Sequence, residues 1–328
     1  MREITINKND AGQRLDKFLT KTLKRLPQSL MYKAIRTKKI KVNRKRTEPN
    51  AMLCEGDKLQ LFLAEDVFGE NVGSAASLAK IKPSFGIVYE DENIILCDKK
   101  AGMLSHSEDK NGEETLAEHI KAYLYGKGEY DPDKEQSFAP ALCNRIDRNT
   151  SGIVIAAKNA VALREMNEII RLREMDKTYL CAVHGIPEKS RGELRGYLVK
   201  DSAKNEVTVS TVRPNRKDAK TIVTGYKVLA KNEDLALLEV ELITGRTHQI
   251  RAHLASIGHP LLGDGKYGIN QSDRKAGFSH QALYSYSVTF KRSEGPLGYL
   301  CGKRFEANKD NIYFLKLFPE NTEKGKKS

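Results

Sequence analysis

From residue 85 to residue 243, seven segments are rich in β-branched and aromatic side chains and bounded by turn residues: FGIVYE, NIILCDK, GIVIAAK, KTYLCAVHG, NEVTVSTV, KTIVTGYKVL and LALLEVELI. Only one long helical pattern interrupts them, AVALREMNEIIRLREM, which sets Leu163, Met166 and Ile170 on one side. Without regular strand–helix alternation the crossovers of a parallel sheet are missing. The pattern predicts an α+β fold on a large mixed, mostly antiparallel sheet. A chain of 328 residues has room for that body and one small domain.

The small domain is expected at the N-terminus, where the charge lies. The chain carries a net charge of +13, and residues 1–62 alone hold sixteen lysines and arginines against six acids. Such asymmetry points to a polyanion, because lysine and arginine gain affinity by releasing counterions from phosphates. RLDKFLTKTLKR places Leu15, Phe18, Leu19 and Leu23 at helical spacing; Pro27 ends that segment, and Ser29 offers an N-cap for LMYKAIR. In KKIKVNRKR, Ile40 and Val42 point one way and Lys39, Lys41 and Asn43 the other, and GDKLQLFL reads as a further strand. The RLD-x-FL opening, the lysine-rich strand ending in VN and the closing GD resemble the S4 RNA-binding domain, with Arg44 where glycine commonly follows VN. The resemblance implies docking on structured RNA by shape and backbone contacts. Arg14, Lys17, Lys33, Arg36, Lys39, Lys41 and Arg44 are the candidate contacts. The expected organisation is this module over 1–64, a linker over 65–82, the body over 83–318 and a basic tail over 319–328. Within the linker, SAASLAKI can form a short helix.

Two segments of the body carry candidate chemistry. In NRIDRNTSGIVIAAKN, Asp147 stands between Arg145 and Arg148 at the mouth of an apolar run. No second acid lies nearby, which argues against paired-carboxylate glycoside chemistry. A carboxylate beside an arginine stays ionised and can act as a nucleophile, although an ion pair closing a turn is the commoner use of such residues. The second segment, VELITGRTHQIRAHLASIGHPLLGDGKYG, holds His248, His253, His259 and Asp264. A five-residue spacing turns His248 and His253 about 140° apart on a helix, so no metal site is expected. Arg246 and Arg251 bracket Thr-His-Gln, and a partly buried arginine demands a carboxylate or a phosphate.

Taken together, the NRIDR-x-TSG segment and TGRTHQIR-x-H-x4-GHP-x2-GD-x2-YG resemble the RluA-type pseudouridine synthases, in particular those of large-subunit ribosomal RNA with an S4 domain. The resemblance spans nearly the whole chain and implies the pseudouridine synthase fold. It implies Asp147 as the catalytic aspartate and Arg145 as the side chain that enters the RNA stack when the uridine flips out. Tyr179 would stack on the base near the transferred proton, Arg251 would pair with the catalytic acid, and Ile250 would form an apolar wall; Arg246 is a further substrate-binding candidate. Three positions depart from the family pattern: Asn144 where histidine is usual, Asn149 where aspartate is common, and Lys100 where proline usually follows lysine.

The implied reaction, uridine to pseudouridine in 23S ribosomal RNA, is an isomerisation that requires no metal, nucleotide or redox cofactor. The sequence offers neither a P-loop nor GxGxxG. Transfer RNA remains an alternative substrate. The competing expectation is an RNA-binding ribosome-assembly factor without activity; a hydrolase using the histidines is a third. Five cysteines without a CxxC pair, no secretion-type apolar start and no long apolar run fit a reduced, cytoplasmic protein. The absence of heptads fits a monomer.

Overall fold

The computed structural model describes residues 1–68, 74–106, 114–201, 206–268 and 270–319. Of the expected linker, residues 69–73 lie outside this range, as do residues 320–328 of the expected tail.

Along the chain come β1 (Arg2–Thr5), α1 (Leu15–Thr22), α2 (Gln28–Arg36), β2 (Ile40–Val42), β3 (Lys45–Arg46), β4 (Lys58–Leu61) and α3 (Ser74–Leu78). There follow β5 (Gly86–Glu90), β6 (Ile94–Lys99), α4 (Leu116–Gly126), β7 (Ala141–Leu142), β8 (Ser151–Ala157), α5 (Ala160–Leu172) and β9 (Met175–His184). The rest comprises β10 (Arg191–Asp201), β11 (Glu206–Ser210), β12 (Lys220–Lys231), β13 (Leu235–Leu242), α6 (Gln249–Ser256), α7 (Asn270–Lys275), β14 (Leu283–Phe290) and β15 (Arg304–Glu306).

One compact unit takes in residues 1–84, 117–141 and 158–163. Its four-stranded sheet has the order β1-β4-β2-β3, every pairing antiparallel. Leu15, Phe18 and Leu19 of α1 and Met31 and Ile35 of α2 bury against Ile40, Leu59 and Leu61 of the sheet. The Asn43–Arg44 turn has positive φ at both residues, as a two-residue hairpin of primed type needs. Asn43 stabilises it by donating to Asp57 and accepting from the Lys58 N–H, while the Arg44 N–H donates to Gln60. Arginine thus occupies a conformation that glycine adopts without strain. The expected cap on α2 is different: the helix starts at Gln28 after Pro27, no side chain caps it, and Ser29 lies inside the first turn. Proline already holds φ at −56° there, so no capping hydroxyl is needed to bend the chain into the helix. In the same unit the Asp10 carboxylate accepts from the Ser137 N–H and hydroxyl, and Asn9 donates to Glu135.

The other unit takes in residues 85–116, 142–157 and 164–328 and is built on an eleven-stranded sheet. Its main path runs β11-β10-β12-β13-β9-β14-β8-β6-β5, with β15 on β14. All pairings along this path are antiparallel except β14 with β8. The α+β reading with a mixed, mostly antiparallel sheet holds. The sequence reading lacked β10, whose RGELRGYLVKD is half polar, and the central β14, in which Ser285 and Ser287 are buried among tyrosines. It also lacked α4. On α5 the buried residues are Ala160, Ala162, Met166 and Ile169, with Leu163 and Ile170 only half-buried.

The parallel contact fixes the place of the Asp147 segment. Gly152, with φ +108°, lets β8 approach β14 so closely that a Cβ there would lie 2.3 Å from the Ser285 carbonyl oxygen. Ser285 answers by donating to the Ile153 carbonyl.

Candidate active site

Asp147 lies in the turn that feeds β8, and each carbonyl around it has a donor. Ser105 donates to the carbonyl of Ile146, the Thr150 N–H to that of Asp147, and the Lys99 ammonium to that of Arg148. Asn144 closes the start of the turn by accepting from the Ile155 N–H at 2.8 Å. The amide standing where the family usually has histidine therefore makes a backbone hydrogen bond.

Lys99 has no exposed surface and donates also to the carbonyls of Lys100 and Met103. Burial pushes its pKa down to about 8, against the opposing charge of Asp147. Lys99→Met should cost about 2 kcal/mol at pH 7, the loss of a donor shared by three carbonyls being partly offset by removing a buried charge. Because the folded pKa lies below the ordinary 10.5, the wild type should gain stability relative to the variant as pH rises from about 8 to 10.5. Denaturant melts at pH 7.5 and 10 would measure both effects.

Arg251, on the first turn of α6, joins two carboxylates. Its Nη1 donates to Asp147 Oδ2 at 2.9 Å, while Nε and Nη2 donate to the two oxygens of Asp264 at 2.7 and 2.8 Å. Asp264 is fully buried. Burial opposes its charge, yet the Arg251 guanidinium, helped by the N–H groups of Lys266 and Tyr267, holds its pKa below the ordinary value. Burial likewise opposes the Arg251 charge, and the carboxylates, Asp264 foremost, raise its pKa above the usual range. A bidentate pair of this kind fixes the plane of the guanidinium, and with it the direction of the bond to Asp147.

A cleft of about 280 Å³ opens over Asp147 and Arg251. Tyr179 and Lys177 reach it from alternate positions of β9; Arg145, Arg246 and Ile250 line it as well. All six site residues inferred for the body thus meet at one place, although Asp147 and Arg251 are 104 positions apart. Tyr179 is buried, and its pKa is pushed up to about 12 by desolvation, with the Asp147 charge adding to the rise and a hydrogen bond with Ser285 opposing it. It is a neutral phenol at ordinary pH. Burial also lowers the pKa of the Lys177 ammonium.

Each histidine of the second segment has its own partner. His248 pairs with Tyr267, His253 with Thr224, and His259 with the His184 carbonyl. Burial pushes His253 down to about 4. Groups of three or more metal-ligating side chains do not occur among the described residues. The sequence reading did not foresee Asp264 as the anchor of Arg251, nor Lys99, Lys177 and Tyr267 at or behind the cleft. The GD-x2-YG stretch carried Asp264 and Tyr267 in plain view, but not their partners.

The N-terminal candidates lie in the other unit. Lys17, Lys33, Arg36, Lys39 and Arg44 are exposed there. Lys41 is half-buried over the Phe62 ring, and Arg14 is held by both oxygens of Asp16.

A family model described as RNA pseudouridylate synthase matches residues 93–256. The chain is 32% identical to an RNA pseudouridine synthase of Mycoplasma genitalium over 88% of this chain and 89% of that one. It is 32% identical to ribosomal large subunit pseudouridine synthase C of Yersinia pestis, over 88% of this chain and 87% of the relative. Among solved structures, human RNA pseudouridylate synthase domain containing 4 matches with a TM-score of 0.56 at 22% identity, over 74% of this chain and 94% of that chain. At that identity the last likeness speaks for the fold.

Proposed function

Because the chain belongs to the RNA pseudouridylate synthase family, we propose that it isomerises uridine to pseudouridine in large-subunit ribosomal RNA, with Asp147 as the catalytic aspartate. The enzyme is an isomerase. The Asp147–Arg251 pair under an open cleft carries the reading of the site, since it presents an arginine-bound carboxyl group to a space walled by Tyr179 and Ile250. The ribosomal substrate is supported by the likeness to the large-subunit pseudouridine synthase C of Yersinia pestis.

A paired uridine hides C1′ and C5 in the duplex, so it must be extruded at a cost of a few kcal/mol. Arg145, exposed at the rim, would fill the vacated space, and Arg246 would meet backbone phosphate. In the cleft the N1–C1′ bond breaks, the uracil turns, and C5 joins C1′; the C5 proton is lost and N1 gains one. Asp147 assists at the sugar, Tyr179 stacks on the base, and Ile250 keeps the wall apolar. The basic residues Lys17, Lys33, Arg36, Lys39, Lys41 and Arg44 would act as an S4-type RNA anchor, with Arg14 contributing less because Asp16 occupies it.

Tritium at C5 reports the reaction directly, since attachment through C5 must release it. Purified protein incubated with unmodified 23S ribosomal RNA fragments labelled at uridine C5 should release the label in proportion to sites modified. Binding without release from any fragment would support instead the RNA-binding assembly factor.

A further inference from the structure

The two oxygens of Asp147 are unequal. Oδ2 accepts from Arg251 at 2.9 Å and faces His248 Nε2 at 3.9 Å. Oδ1 has no hydrogen-bond partner among the described residues. Behind His248, the Val207 N–H donates to the Tyr267 hydroxyl oxygen at 2.9 Å, and that hydroxyl lies 2.9 Å from His248 Nδ1. An amide N–H can only donate, so the Tyr267 oxygen is its acceptor and the hydroxyl proton is left for Nδ1. A neutral ring that accepts at Nδ1 carries its proton on Nε2, the nitrogen turned to Asp147.

The backbone holds the ring in that orientation at a cost. His248 has φ +53°, a left-handed conformation uncommon for residues other than glycine, and it caps α6 without a side-chain cap bond. The side chain goes to Tyr267 and Asp147 instead. Resting on the proposed function, we propose that His248 is a positioning residue, a neutral Nε2–H donor that with Arg251 holds Oδ2 of Asp147, leaving Oδ1 as the oxygen that meets the substrate. At 3.9 Å the histidine is poised beyond direct bonding distance, and it closes on Oδ2 as the uridine seats.

Burial of the ring favours this state, and the charges around it pull both ways. Burial acts most strongly to keep it neutral; Arg251 and Lys266 act the same way, while Asp147 and Asp264 favour the imidazolium. Tyr267, which supplies the bond to Nδ1, also lies with its ring 5.2 Å from the Arg251 guanidinium. Protonation of His248 would turn Nδ1 from an acceptor into the ring's second donor, so it could no longer accept from the Tyr267 hydroxyl.

The test is the C5 tritium assay under steady-state conditions from pH 5 to 9, with RNA affinity and melting temperature measured alongside. His248→Phe should lower kcat by about 10- to 100-fold, the effect of losing one hydrogen bond to a charged group, with KM within about twofold. His248→Gln, which can return an N–H to the Nε2 position, should recover most of that loss. Tyr267→Phe removes the bond that favours the neutral ring, so the acid limb of its profile should move upward in pH. Equal kcat for His248→Phe and wild type, or no recovery by His248→Gln, would overturn the assignment while leaving the proposed function standing. No release by wild type would overturn that function, and this inference with it.

Discussion

Asp147→Asn should end tritium release, a loss on the order of 10⁴-fold or more, while leaving RNA affinity within about twofold and the melting temperature within a few degrees. The replacement keeps the shape of the side chain and an oxygen that can accept from Arg251 Nη1. It removes the negative charge on which every route through this residue depends. Arg251 is not stranded by the change, because two of its three hydrogen bonds go to Asp264. The fold of the site therefore does not rest on Asp147, whose side chain is about a quarter exposed. RNA affinity is expected to come from phosphate contacts elsewhere, so filter binding should barely change. Release by the variant at the wild-type rate would remove Asp147 from the mechanism, whereas equal loss of binding and release would assign it to docking.

The strands of the body were legible as runs of β-branched and aromatic residues bounded by turn residues. Such runs gave β5, β6, β8, β9 and β11–β13, and β6 and β8 are buried along nearly their whole length. β14 escaped because its inward positions include serines, which suit a central strand only once Gly152 has brought β8 against it. Asp147, Arg145, Tyr179, Ile250, Arg246 and Arg251 were legible through resemblance, and the cleft gathers them. Their supports were not. Lys99 reads as one more surface lysine in a basic chain, and only the path of the 99–105 segment turns its ammonium onto three carbonyls. The positive φ of His248 has no signature in THQIR, and the partner of its ring, Tyr267, lies nineteen residues away. Distant register decides such contacts, and a local pattern does not encode it.

The bond between Arg251 and Asp264 predicts the other large effect. Arg251→Met would leave Asp264 ionised, fully buried and, among the described residues, held only by the N–H groups of Lys266 and Tyr267. Removing one partner of a buried ion pair typically costs about 3–5 kcal/mol. At ~2–4 °C per kcal/mol for a domain of this size, the melting temperature should fall by roughly 10 °C. Activity should fall too, since Asp147 loses its cation. Adding Asp264→Asn should restore a good part of the stability, because the uncompensated charge goes, and none of the activity. That non-additivity is the signature of a coupled pair. The pH dependence has a definite sign. In the wild type the folded pKa of Asp264 lies below its ordinary 3.8, so its contribution is present above that pH and is lost as pH falls through the folded value. In Arg251→Met the same carboxyl is buried without its cation, so its pKa rises, and protonation relieves the penalty from a higher pH downward. The stability gap between wild type and variant should therefore narrow as pH falls towards 4. A gap independent of pH would mean that Arg251 stabilises the fold by packing against Tyr267 and its other neighbours, and that the carboxylate behind it was never the reason for its orientation.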